Sequence, residues 1–189
     1  MEKEDIKEHA DRTYEQVSGW INNCDSKASI LLALIGVFLT IVFTSDFISQ
    51  GIIEQLKDVI GIFKHSNSRG VLFNVLLIAL IGCSVYYFII SIKKLLLVLF
   101  ARLDDSRDKE NPSISFYRSI GAKDYDAFKQ LVESYSDEQL VEDKLRQVYD
   151  CSKICSNKFS YYNEGIQAMK SAFIFLGIYF LSFLLLSSL

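Results

Sequence analysis

Three stretches of the chain, residues 28–45, 70–92 and 171–189, contain no Asp, Glu, Lys, Arg or His. They are 18, 23 and 19 residues long. As α-helices they would measure about 27, 35 and 29 Å, at about 1.5 Å per residue. A bilayer's hydrocarbon core is about 30 Å thick and takes roughly 20 apolar residues to cross. The pattern therefore predicts three transmembrane helices. Helical periodicity fills in much of the remainder. Ile6, Ala10, Tyr14, Val17 and Ile21 recur at steps of four and three, which predicts an amphipathic helix over 2–23 leading to Trp20 at the membrane boundary. Ile52, Ile53, Leu56, Val59, Ile60 and Phe63 predict a surface-lying helix between the first two spans. The second span runs past Lys93-Lys94 into Leu95–Phe100, as one helix leaving the bilayer with its lysines snorkelling.

The last third of the chain carries the longest periodic signal. Ser136-Asp137-Glu138-Gln139 has the form of a capping box. Val141, Leu145, Val148, Ser152, Cys155, Phe159, Tyr162, Ile166, Met169 and Phe173 follow at alternating steps of four and three, a heptad seam. Only Gly165 interrupts it, so one helix of roughly 50 residues, ~75 Å long, is expected to run into the third span. Between the second span and this helix lie a polar break from Asp104 to Pro112, a short helix around 123–135, and Ser113–Arg118, whose alternation reads as a short strand or an extended strap.

The expected architecture is an all-α integral membrane protein with three transmembrane helices and a cytoplasmic helical bundle, the last span continuous with a long cytoplasmic helix. The divisions are a cytoplasmic amphipathic helix (1–27), span one (28–45), an external loop with an amphipathic helix (46–69), span two (70–92), a cytoplasmic helical region (93–170) and span three (171–189). Composition agrees: there is one proline in 189 residues, and loop-rich folds collect proline. The first apolar block follows 27 residues with seven acids and four bases, which is unlike a cleaved signal.

Basic residues near span ends orient a membrane protein. The N-terminal flank and 93–170 supply ten such residues against three in 46–69 (Lys57, Lys64, Arg69). The N-terminus and 93–170 are thus expected in the cytoplasm and the C-terminus outside. Residues 93–170 carry 13 bases and 13 acids, so no electrostatic footprint for DNA or RNA exists there.

Candidate catalytic chemistry is sparse. Cys151 and Cys155 sit one helical turn apart, but the two histidines, His9 and His65, do not complete a four-ligand zinc set. No nucleophile has an evident partner base, and the nine glycines are scattered. No cofactor, metal or enzyme activity is expected. The spans carry no ionisable residue, which argues against coupled transport. Gly36, Thr40, Ala79, Gly82, Ser84, Gly177 and Ser182 are small or hydroxylated and suit close helix packing.

Trp20, Asp25 and Lys27-Ala28, followed by an apolar run and a second span, form the most distinctive local pattern. Together with Phe116, Ile120, Leu140-Val141-Glu142-Asp143 and Ile154 through Lys158, then a C-terminal span, this order resembles the Pycsar transmembrane effector family over about residues 14–188. Cys24 stands where that pattern favours a small residue. The resemblance implies a bacterial antiphage effector in the inner membrane. It would respond to a cyclic pyrimidine mononucleotide (cyclic UMP or cyclic CMP) and impair the membrane, causing abortive infection, as a homo-oligomer. The anion site such a role needs finds candidates in Arg118 and Lys123, flanked by Phe116 and Tyr117 for stacking on a base. The alternatives are a two-span SLATT-like effector, which a third span fits less well, and a non-enzymatic scaffold that binds a partner protein through the 141–169 seam.

Overall fold

The computed structural model describes residues 3–45, 53, 57, 68–100 and 113–187. Within them the regular structure is helical: α1 (Lys3–Thr44), α2 (Ser68–Leu99), α3 (Tyr117–Gly121), α4 (Tyr125–Ser134) and α5 (Asp137–Ser187). α1, α2 and α5 are each long and apolar enough to cross a membrane, over Glu4–Val42, Leu72–Leu99 and Asp137–Leu185. The break at Asp104–Pro112 lies outside the described residues. So does the helix expected in 46–69, except for Ile53 and Lys57, both of which are helical.

The amphipathic N-terminal segment and the first apolar block are one unbroken helix, α1, of 42 residues. The short strand or strap expected at Ser113–Arg118 is not formed. Residues 113–116 are irregular and Tyr117 begins α3. A side chain dictates this: the Ser113 hydroxyl accepts from the backbone N–H groups of Ser115 and Phe116, both at 3.1 Å. That closes a turn where a strand would need those donors for a neighbour. The capping box forms as expected. The Gln139 N–H donates to Ser136 Oγ at 3.3 Å and the Ser136 N–H to Gln139 Oε1 at 2.9 Å, satisfying two backbone donors at the start of α5.

The chain divides into two compact units, one of Met1–Ser26 with Phe100–Ser160, the other of Lys27–Leu99 with Tyr161–Leu189. In the first, α1 buries Ala10, Val17 and Cys24, seven residues apart, and its acids meet the first part of α5. Asp11 meets Lys144 and Asp25 meets Lys158. Both pairs are 133 positions apart, so α1 and α5 run parallel and in register over two heptads.

In the second unit α2 runs against α5. Ser84 Oγ donates to the carbonyl of Ala172 at 3.0 Å, and Ser91 Oγ to that of Gly165 at 2.9 Å. The core seam of α2 is Leu77, Ser84, Phe88, Ser91, Leu95 and Val98. Phe38, Phe88 and Phe173 join the three helices, with ring centroids 5.2–5.6 Å apart. At Gly165 the backbones of α2 and α5 approach closely; a Cβ there would lie 3.0 Å from Leu95 Cγ. The residue that reads as a helix interruption is thus a contact point.

The seam on α5 is rotated from the expected one. The buried residues are Asp143, Cys155, Lys158, Gly165, Ala168, Ala172 and Tyr179. Phe159, Ile166 and Met169 are only half-buried, and Leu145 and Phe173 are exposed. Only Cys155 belongs to both. Of the small span residues, Ser84 is buried, whereas Gly36, Thr40, Ala79, Gly82 and Gly177 face outward.

Candidate functional site

The first unit holds the residues with potential ligand chemistry. Phe116 is the N-cap of α3, extended at φ −92° and ψ 123° with no side-chain cap of its own. Its ring lies 4.8 Å from that of Tyr117 at 59°. Tyr117 is 68% exposed. Arg118 follows, exposed, on the same turn. Lys123 lies just beyond α3 and turns back on it. Its ammonium donates to the Ser119 carbonyl at 2.7 Å and to Ser119 Oγ at 3.0 Å, a cation stabilising a helix C-terminus. The sequence-expected four residues therefore share one short helix and its end. Phe116, Tyr117 and Arg118 are adjacent, and the Lys123 charge is engaged locally.

What fixes this helix is a residue pair that sequence reasoning missed. Asp143 of α5 is only 8% exposed, and Ser113 Oγ donates to its Oδ2 at 3.0 Å. The same hydroxyl accepts the two N–H groups that lead into α3. A buried carboxylate is costly unless hydrogen-bonded, so Asp143 orients Ser113, and Ser113 orients the start of the aromatic pair. The Tyr135 phenol is pushed up from its ordinary pKa by burial and by the Asp143 carboxylate, with Arg146 opposing. Asp143, Ser113, Tyr135 and Arg146 thus form a polar cluster behind α3. Arg146 also pairs with Glu142 at 3.0 Å.

α4 beside it is capped by Asp124, whose Oδ1 accepts from the Ala127 N–H at 2.8 Å, and buries no residue. The four cysteines are thiols, none joined in a disulfide. Cys151 and Cys155 have their pKa values raised, mainly by burial.

The membrane-boundary motif resolves into distinct roles. Trp20 is 54% exposed on α1. Asp25 accepts from the Lys158 ammonium at 2.6 Å, with the Lys158 side chain 6% and the Asp25 side chain 34% exposed. Two heptads earlier Lys144 meets Asp11 at 3.0 Å and lies 4.4 Å over the Tyr14 ring. In the second unit Lys94 pairs with Glu164 at 2.5 Å and lies 5.3 Å over the Tyr161 ring. Lys27, in that unit, is exposed. Lys158 stands at the end of the family-like stretch in the sequence, but nothing there names Asp25 as its partner. The available signal is a charge at what becomes a core position once the seam is moved back by one residue.

Comparison with known proteins agrees with the resemblance. The family model described as the Pycsar effector protein domain matches residues 9–187. A Pycsar effector protein of Gulbenkiania mobilis is similar at 31% identity over 170 residues, 88% of this chain and 87% of the relative. No solved structure matches the chain.

Proposed function

The chain belongs to the Pycsar effector family, and from that premise we propose that it is a membrane effector of antiphage defence, switched by a cyclic pyrimidine mononucleotide. In this reading the N-terminus and the α3–α4 region are cytoplasmic, the C-terminus is external, and the protein works as an oligomer in the bacterial inner membrane. Cyclic UMP or cyclic CMP binds at α3. Its base stacks on the Phe116–Tyr117 pair and its phosphate meets Arg118, with Lys123 supplying a second charge on release from Ser119. No step of this role needs bond chemistry from the protein, which acts as a non-enzymatic effector.

The observation that carries the proposal is α5. It starts with the segment that holds Asp143 and continues without a break from Asp137 to Ser187, through the third apolar stretch. A ligand that favours one packing of the Asp143 cluster thereby acts on a helix that also enters the membrane. Moving a two-state equilibrium from 1:99 to 99:1 takes about 5.5 kcal/mol of differential binding. Several subunits that switch together share that demand.

The test is an insertion of Gly-Gly-Ser after Ser160, past Lys158 and before Glu164, so that each ion pair keeps its own helix segments. Wild type should bind cyclic UMP or cyclic CMP in calorimetry and depolarise cells, read with a potential-sensitive dye, when a cognate pyrimidine cyclase is induced. The insertion variant should bind and fail to depolarise. Depolarisation at the wild-type rate refutes transmission through α5, and absence of binding by wild type refutes the ligand.

A further inference from the structure

The lysines around the start of the apolar stretches fall into two groups. Lys94 faces its neighbours within the second unit and is neutralised by Glu164. Lys27 on α1 and Lys93 on α2 are exposed. Among the described residues no carboxylate pairs with either. The two lie at nearly the same level. Phe38 meets Phe173, which sets Lys27 beside position 162 of α5. Ser91 bonds Gly165, which sets the antiparallel Lys93 beside position 163. Each borders an uncharged run, residues 28–45 after Lys27 and 70–92 before Lys93. Lys170, also exposed, lies about two turns further along α5 and is not at this level.

We propose that Lys27 and Lys93 form a headgroup-level surface that binds the phosphate of anionic phospholipids. The proposal rests on the membrane-spanning reading of α1 and α2. An outward ammonium beside a strip of lipid-facing apolar side chains is open to water and to a lipid headgroup. Its long aliphatic stem covers the apolar strip while the charge reaches the interface. Water alone would serve a lysine paired within the protein equally well, yet the inward lysine is matched with an acid and these two are not. Their charge is left for a partner in the lipid. The partner's chemistry follows: a monoanionic phosphodiester at the bilayer surface. A basic residue near an anionic surface gains about 1 kcal/mol, roughly five-fold in association. The gain weakens as salt shortens the screening length.

The experiment uses the full chain in vesicles of phosphatidylcholine, with trace chain-labelled spin probes carrying either a phosphatidylglycerol or a phosphatidylcholine headgroup. Electron spin resonance reads the motionally restricted fraction of each and hence their relative association constant at the protein surface. Wild type should prefer phosphatidylglycerol by about two-fold, the five-fold gain at two lysines being averaged over all boundary lipids. The double variant Lys27→Gln/Lys93→Gln should show a ratio near one. Lys27→Arg/Lys93→Arg should keep the preference, which separates lost charge from lost folding.

A ratio near one in wild type, or an unchanged preference in the Gln variant, overturns the proposal. So does abolition of the preference by inorganic phosphate but not by chloride at equal ionic strength, because the surface would then take free phosphate. A restricted component absent for both probes would instead refute the membrane-spanning reading itself.

Discussion

Removing Asp25 should harm the protein far more than removing Lys158, although each change breaks the same ion pair. The two ends differ in access to water: the Lys158 side chain is 6% exposed, that of Asp25 34%. Asp25→Ala takes the carboxylate from a buried ammonium, and breaking a buried pair from one side costs about 3–5 kcal/mol. Because Asp25 is itself a third exposed, water already screens part of the pair, and about 2–3 kcal/mol is the expected loss. Lys158→Met removes the buried charge, roughly preserves the volume, and leaves a carboxylate that water can reach. Its expected cost is about 0–1 kcal/mol, since apolar replacement of buried ions is often neutral or better. Thermal unfolding in detergent, followed by far-ultraviolet circular dichroism, should show Asp25→Ala lowering Tm by about 5–10 °C, at about 2–4 °C per kcal/mol for a chain of this size. The double variant should unfold near the Lys158→Met single variant, not at the sum of the two losses. Equal losses from the two single variants, or a strictly additive double variant, would refute the assignment of Lys158 as the buried end of a coupled pair.

Gly165→Val should lower Tm through overpacking against Leu95, by about 1–3 kcal/mol, while Gly36→Val, where a Cβ meets nothing within 4 Å, should change it little. Ser136→Ala removes one side of the capping box and should cost about 0.5–1 kcal/mol in the same melts, with Ser136→Asp restoring most of it. Burial raises the pKa of the Cys151 and Cys155 thiols, so less thiolate exists at a given pH. Maleimide labelling of these two sites, read by mass spectrometry, should lag a free-thiol standard at pH 8 and gain on it as pH rises; labelling at the standard's rate would contradict the burial.

The long helices are legible because a membrane span is written in composition: 23 consecutive uncharged residues leave little else for 70–92. The capping box is legible because its donors and acceptors lie within four residues. The α5 seam reads one position away from its true place, for a physical reason. Choosing Phe159, Ile166, Met169 and Phe173 applies the rule of water-soluble proteins, in which large apolar side chains seek the interior. In lipid the surroundings are as apolar as the interior, and close approach selects small residues. Hence Ala172, with Gly165 just before the span, faces α2, where Ser84 and Ser91 reach the two carbonyls. Nearer the start of α5 the same shift brings Lys158 inside, and Asp143 is buried as well, each acceptable because Asp25 or Ser113 awaits it. Neither partner can be inferred from spacing along one chain, since the pairs are 30 and 133 positions apart. The aromatic and basic run at 116–118 is legible as composition, but its positioning by Ser113 is not. The turn of Lys123 onto Ser119 follows from their separation of four.

The register of α1 on α5 raises an electrostatic question that the sequence also answers. α1 starts at Lys3 and α5 at Asp137, so a constant offset of 133 brings the two helix starts almost level. Parallel helices place like ends of their macrodipoles together, about half a positive charge at each N-terminus. The arrangement is unfavourable unless something negative sits there. The first turns carry Glu4 and Asp5 on α1, and Asp137 and Glu138 on α5, four acids at the two positive ends. Further along, the charges are divided by helix: Asp11 and Asp25 stand on α1, and Lys144 and Lys158 on α5. That division attracts one helix to the other only in this register, because a slip of one heptad would set Asp25 opposite Cys151 in one direction or Gly165 in the other. A seven-residue slip keeps the apolar stripe in contact yet leaves the buried ammonium of Lys158 facing Ser18 or Leu32. Hydrophobic periodicity alone cannot choose between these alternatives. The ion pairs supply the difference, in the way a polar core residue fixes register in a coiled coil at some expense in stability.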